Sequence, residues 1–326
     1  MSKSKFYLGV GPMSKEIIEA VKEYPAPEDV QLMLICSENQ INRDAGYTGL
    51  KTSDFAKILR GSEVWKCRDH CGPGFNYKTK EECFQTIIDD IENGFELIHI
   101  DNCWLEGEAK LQYTLEAIKL ALSANNEIKF EIGTEVNTVN NKLNPDKLRS
   151  YLDEILKLTT PFFYVLETGS VVQGYNNSKE FDVCEKSLQI LSEASVKIKE
   201  HNADYLNKSE IAKRHGIING MNIAPQFGVV QTLTVLNEAM MYGVDTTDFK
   251  RVVYHYNNWE KWRESHREIE LDYVTALAGH YHFNTKEYKQ VADELSNYVN
   301  LKNIIKNNIK KIINYYISSY RSENES

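Results

Sequence analysis

Eight times between residues 5 and 245, a short apolar run rich in β-branched and aromatic residues is followed by a longer stretch of helical periodicity. That alternation demands parallel strands joined by helical crossovers, because a tight turn cannot carry the chain back to the start of a parallel neighbour. The expected strands are residues 5–11, 30–36, 63–69, 96–101, 128–136, 162–168, 196–201 and 216–223. With no Pro/Ser-rich linker between units and no glycine-rich phosphate fingerprint, they fit a (β/α)8 TIM barrel better than an open doubly wound sheet. The barrel is expected to occupy residues 1–245. Residues 246–326 read as a helical extension packed on its outside or at a subunit contact, which leaves a homo-oligomer open.

In such a barrel, chemistry belongs at the C-terminal ends of the strands, and the polar residues fall there. Asn39 and Gln40 follow the second strand, Asp69 and His70 the third, and Asp101 the fourth; Glu135 ends the fifth. Gly169 and Ser170 follow the sixth, His201 and Asn202 the seventh, and Asn222 ends the eighth. Asp69 reads as an acid/base beside the metal ligand His70, since a neutral imidazole binds divalent cations and a neighbouring carboxylate moves protons. The alternative is an Asp that orders the Gly72-Pro73-Gly74 turn and a His bonded to a carbonyl. Glu135 is a ligand, an acid/base or the partner of a barrel cation; His201 is a second imidazole ligand or an exposed helical His.

Cys67 and Cys71 flank Asp69 and His70, but without a second Cys-x-x-Cys pair they read as buried small hydrophobes rather than a zinc knuckle. His280 and His282, in "GHYHF", lie beyond the eighth unit and are expected at a surface or an interface. The aromatic segment "YHYNNWEKW" reads as a packing or interface stripe rather than a ligand platform.

The net charge of −9 argues against a nucleic-acid partner, which needs Lys and Arg in excess on one face. No run approaches the length of a membrane span, and "MSKSKFYLGVG" lacks the apolar core of a signal peptide. A cytosolic protein with free thiols is expected, since its six Cys are dispersed over a long chain.

Five segments, in order, resemble the class II tagatose-bisphosphate aldolase accessory subunits, the non-catalytic Z subunits. They are "SENQINRDAGYTG", "RDHCGPGF", "LIHIDNCW", "EIGTEV" and "EHNADYL", spread over residues 30–225. The resemblance implies the barrel and, by analogy with the catalytic members of the zinc-dependent class II aldolase superfamily, a Lewis-acid Zn2+ site. Asp69 would move the proton, His70 and His201 would hold the metal, and Glu135 would be a further ligand. Asp101 would lie near the metal and Asn222 would contact substrate, together with Asn39, Gln40, Gly169, Ser170 and Asn202 from the same rim. The chain departs from the catalytic pattern after strand six, where Val171 and Val172 stand in place of a histidine, and it lacks the strand-seven phosphate cradle. Three functions follow as expectations: metal-assisted aldol chemistry on a ketose or ketose phosphate, a stabilising partner of a separate aldolase subunit, or a metal-dependent sugar epimerase.

Overall fold

A computed structural model of the chain describes residues 5–75, 79–133, 144–166, 168–177 and 181–321. Eight strands form a closed barrel: β1 (Phe6–Val10), β2 (Val30–Cys36), β3 (Trp65–Cys71), β4 (Leu97–Ile100), β5 (Lys129–Gly133), β6 (Phe163–Val165), β7 (Lys197–Glu200) and β8 (Gly220–Ile223). They pair in chain order, every pair parallel, and β8 closes the ring against β1. The chain therefore folds as a (β/α)8 TIM barrel with added C-terminal helices.

The crossover helices are α1 (Lys15–Lys22), α2 (Thr52–Ile58), α3 (Lys80–Glu92), α4 (Glu108–Ala124), α5 (Pro145–Leu156), α6 (Glu185–Glu193), α7 (Lys208–Ala212) and α8 (Pro225–Tyr242). Their starts are written in the local sequence. Ser14 and Asn144 accept the first free amides of α1 and α5, and Thr79 with Glu82 makes a capping box on α3. Pro225 opens α8, and Gly243 ends it in the left-handed region.

Side-chain alternation along each strand separates two layers. Leu8, Leu34, Ile98, Ile132, Ile198 and Met221 face out into the main core beneath the helices, whereas Tyr7, Met33, Ile35, Cys67, Leu97 and Phe163 face into the barrel. The inward aromatic residues sit early in their strands, where Tyr7 meets Phe163 edge to face with ring centroids 5.1 Å apart. They plug the N-terminal half of the barrel. The later inward positions are polar, so the open end is the C-terminal rim.

Cys67 faces into the barrel and Cys71 faces out, where its Sγ approaches the Cys83 carbonyl, so the two thiols lie on opposite sides of one strand. All six cysteines are free.

Two buried ion pairs brace the outer layer. Arg68 of β3 makes two hydrogen bonds to Asp90 of α3, at 2.6 and 2.7 Å, and donates to the carbonyls of Cys36 and Ile41. Arg214 holds Glu200 of β7 in the same way on the far side of the barrel.

The extension continues as α9 (Thr247–His255), α10 (Leu271–Ala278), a short 3-10 turn (Gly279–His282), α11 (Lys286–Leu295) and α12 (Leu301–Arg321). In α12, Ile305, Ile309, Ile313 and Ile317 recur every fourth residue and are buried against the barrel helices; each such burial contributes about 1.5–3 kcal/mol. Tyr320 stacks on Phe6 of β1 at 3.9 Å and donates to the Ile218 carbonyl just before β8. The last helix thus clamps the seam where the barrel closes. Its basic residues Lys306 and Lys310 pair with Glu23 on the surface. Among the described residues, no helix is long and apolar enough to cross a membrane.

Candidate active site

The side chains of Asp69, His70, His99 and His201 converge at the C-terminal mouth, each offering a ligand atom within 4.8 Å of the others. Strict alternation would point Asp69 and His70 to opposite faces of β3. The pairing of β3 with β4 slips between Arg68 and Cys71, and His70 takes a positive φ of 50°. This bulge lets two successive side chains enter the barrel, a device common next to functional sites. Gly72 permits the exit that follows: a Cβ there would lie 1.5 Å from the Asp101 carbonyl oxygen.

Each imidazole is oriented by one fixed partner. His70 Nδ1 lies 2.8 Å from Oδ2 of the fully buried Asp101, whose other oxygen accepts the Cys103 amide. His201 Nε2 lies 2.6 Å from Glu131 Oε1, and Glu131 is also bonded to Lys199 inside the barrel. Burial, the largest influence on Glu131, would raise its pKa. Lys199, His201 and His99 outweigh it and bring the value down to about 2. Glu131 is thus an acceptor, so His201 donates from Nε2 and carries its lone pair on Nδ1. His70 likewise turns Nδ1 to Asp101 and Nε2 to Asp69 and the cluster.

His99 donates from Nε2 to the Gly133 carbonyl at 2.9 Å, and its Nδ1 accepts the His70 amide at 3.2 Å. Asp69 Oδ1 stands 3.4 Å from that same Nδ1. Nδ1 is thus the His99 nitrogen turned to the cluster, and a cation there would take the lone pair that the His70 amide engages. Burial favours the neutral acid at Asp69, but the field of His70, the contact with His99 and the field of His201 hold the carboxylate well below its usual range.

The sequence-predicted residues divide into four groups. Asn39, Gln40, Asp69, His70, His201, Asn202 and Asn222 line one cavity of about 260 Å³ over the rim. Asp101 is a partner of His70 rather than part of the lining. Gly169 and Ser170 fall outside it, and the Ser170 hydroxyl binds Glu200 at 2.6 Å beside Arg214. Glu135 lies outside the described residues.

His99 was not among the expected site residues, although it shares a strand face with Asp101 two positions on. It supplies the third imidazole, from β4 rather than from the end of strand six. The expectation of a surface or interface place for "GHYHF" is corrected, and "YHYNNWEKW", whose Trp259 is buried and stacked on Tyr254, reaches the cavity as well. His280 and His282 are buried, and Lys261, Trp262, His280 and Tyr281 line the cavity from the extension. Local periodicity carries no information on a helical segment folding back over the barrel mouth.

No protein-family model matches the chain, and no curated protein matches it. Solved structures do. A probable tagatose 6 phosphate kinase from Sinorhizobium meliloti 1021 superposes with a TM-score of 0.74 at 16% identity, over 97% of this chain and 100% of that one. The fructuronate-tagaturonate epimerase UxaE from Cohnella laeviribosi superposes with a TM-score of 0.62 at 12% identity, over 98% of this chain and 82% of that one. The likeness is one of fold.

The donor set fits a divalent cation. Three imidazoles and a carboxylate within 4.8 Å of one another match the nitrogen and oxygen preference of zinc, and carboxylates behind two of the imidazoles are the usual outer support of such ligands.

Proposed function

We propose that this chain is a metal-assisted enzyme acting on a ketose or ketose phosphate, by aldol and retro-aldol chemistry through an enediolate. The observation that carries this reading is the convergence of Asp69, His70, His99 and His201 at the open end of the barrel. His70, His99 and His201 would hold the cation, and three protein ligands leave a position open to substrate. When bound, a cation such as Zn2+ acts as a Lewis acid that polarises the ketose carbonyl.

The remaining work falls to the chain itself. Asp69, ionised and 3.6 Å from His70 Nε2, takes the proton of the substrate hydroxyl whose carbon-carbon bond breaks and returns it in the synthetic direction. Asp101 and Glu131 keep His70 and His201 in the tautomers that face the cluster. Asn222, 4% exposed with neither amide atom bonded among the described residues, is placed to hold a substrate hydroxyl. Gly9 makes room for it, since a Cβ at that position would fall 2.2 Å from Asn222 Oδ1.

Epimerisation is the second reading. It needs the same polarised carbonyl and proton carrier without bond cleavage, and the epimerase UxaE shares this fold.

The test is incubation of zinc-loaded protein with a panel of ketoses and ketose phosphates, followed by NMR. Cleavage gives an aldehyde and a shorter ketose, epimerisation an isomer, and no turnover of any panel member overturns the proposal. Zinc titration by competition with a chromogenic chelator supplies a readout independent of activity. His70→Ala or His201→Ala should weaken binding by more than about a hundredfold, and Glu131→Gln by about 10–100-fold. Unchanged affinity in all three would remove the metal from the account.

A further inference from the structure

The outer end of the cavity carries polar groups that the chemistry above does not use. His280 is 1% exposed, and neither ring nitrogen has a hydrogen-bond partner among the described residues. Its ring lies against Tyr281, with centroids 4.1 Å apart, and faces Tyr47 across the cavity. The seat is built: a Cβ on Gly228 of α8 would come 2.5 Å from the His280 Cβ, so only glycine admits the histidine there. A buried polar atom without a partner costs about 1–3 kcal/mol, and convergent groups of this kind in a concave pocket mark a ligand.

The lining carries charge of both signs. Asp69 stands at the barrel mouth, burial pushes the Asp204 carboxyl up to about 7, and Lys261 is the only Lys or Arg of the lining among the described residues. The Lys261 Nζ rests 5.0 Å from the ring centroids of both Trp262 and Tyr281, and no carboxylate among the described residues pairs with it. Burial, helped by the charge of Lys261, lowers His280 to a pKa of about 3. It is therefore neutral near pH 7, with one donor and one acceptor, which suits a hydroxyl.

We propose that the C-terminal extension builds a subsite for the anionic terminus of a polyhydroxylated substrate, with Lys261 on the carboxylate or phosphate and His280 on a hydroxyl of the chain. The proposal rests on the inner end of the cavity being the ketose site. Lys261 enters the cavity from the extension and the metal cluster from the barrel, so the substrate is oriented with its carbonyl at the barrel and its charge at the extension.

The test uses the full chain and three unreactive probes that share one carbon chain: D-glucitol, D-gluconate and D-glucitol 6-phosphate, measured by calorimetry. At least one anionic probe should bind about tenfold more tightly than glucitol, and which one does so assigns the terminus as carboxylate or phosphate. Lys261→Ala should abolish that preference and leave glucitol unchanged. His280→Leu should weaken all three probes, whereas His280→Gln, which keeps a donor and an acceptor, should retain them. Equal binding of all three probes to the unaltered protein, or a preference that survives Lys261→Ala, overturns the subsite. Zinc titration of the same samples separates the two claims: intact metal binding without anion preference sinks the subsite alone, and the converse sinks the metal reading alone.

Discussion

Asp69→Asn should lower turnover of the ketose substrate by about 10²–10⁴-fold, the usual contribution of a positioned proton carrier. The substitution keeps the shape of the side chain and removes its capacity to accept a proton. Zinc stoichiometry should not change, because His70, His99 and His201 remain. The pairing of the two measurements matters, since Asp69 stands within ligand range of the same cluster. A variant that loses its metal would make Asp69 a ligand, and a variant with full activity would remove it from the chemistry altogether.

Arg68→Ala should destabilise the fold by about 3–5 kcal/mol, the cost of leaving a buried carboxylate without its cation. The Arg68 and Asp90 side chains are both fully buried, and the same guanidinium also ties down the carbonyls of Cys36 and Ile41. Arg68→Ala would thus strand several acceptors at once. Arg68→Met with Asp90→Leu, which removes both charges and keeps the volume, should recover most of the loss, since an apolar pair of similar size is often as stable as a buried ion pair. Urea unfolding followed by circular dichroism measures both; a loss below about 1 kcal/mol in Arg68→Ala would mean that the pair does little for stability. Because Arg68 adjoins Asp69 and holds the strand end from behind, zinc affinity should fall with stability in the first variant and return in the second.

The neighbouring residues of β3 show how much of this was legible. Asp69 and His70 stand at a strand end, and their residue types in that place were enough to nominate them. That both enter the barrel depends on the slipped pairing with β4 and the left-handed backbone at His70, which no periodicity predicts. His99 was within reach of strand alternation, since it shares a face with Asp101, but a single histidine amid "LIHI" looks like a core residue. Ser170 shows the opposite outcome. Its place after strand six suggested substrate, yet the Glu200 and Arg214 pair claims its hydroxyl, a competition that arises only when β6 and β7 lie side by side.

The sequence by itself determined the barrel. Eight apolar strand runs alternate with helical segments, four of them with a side-chain N-cap, and these are short-range signals with a period of two or of about 3.6. It also determined which rim is polar, because strand direction places the last residues of every strand at one end. Tertiary structure alone decided which of those residues meet. The third imidazole comes from β4, and the roof of the cavity is built by Lys261, Trp262, His280 and Tyr281 of the extension, well beyond the last strand. Both depend on distances between parts of the chain that share no local pattern, and those distances are set by barrel closure and by the packing of α10 and the 3-10 turn against α8.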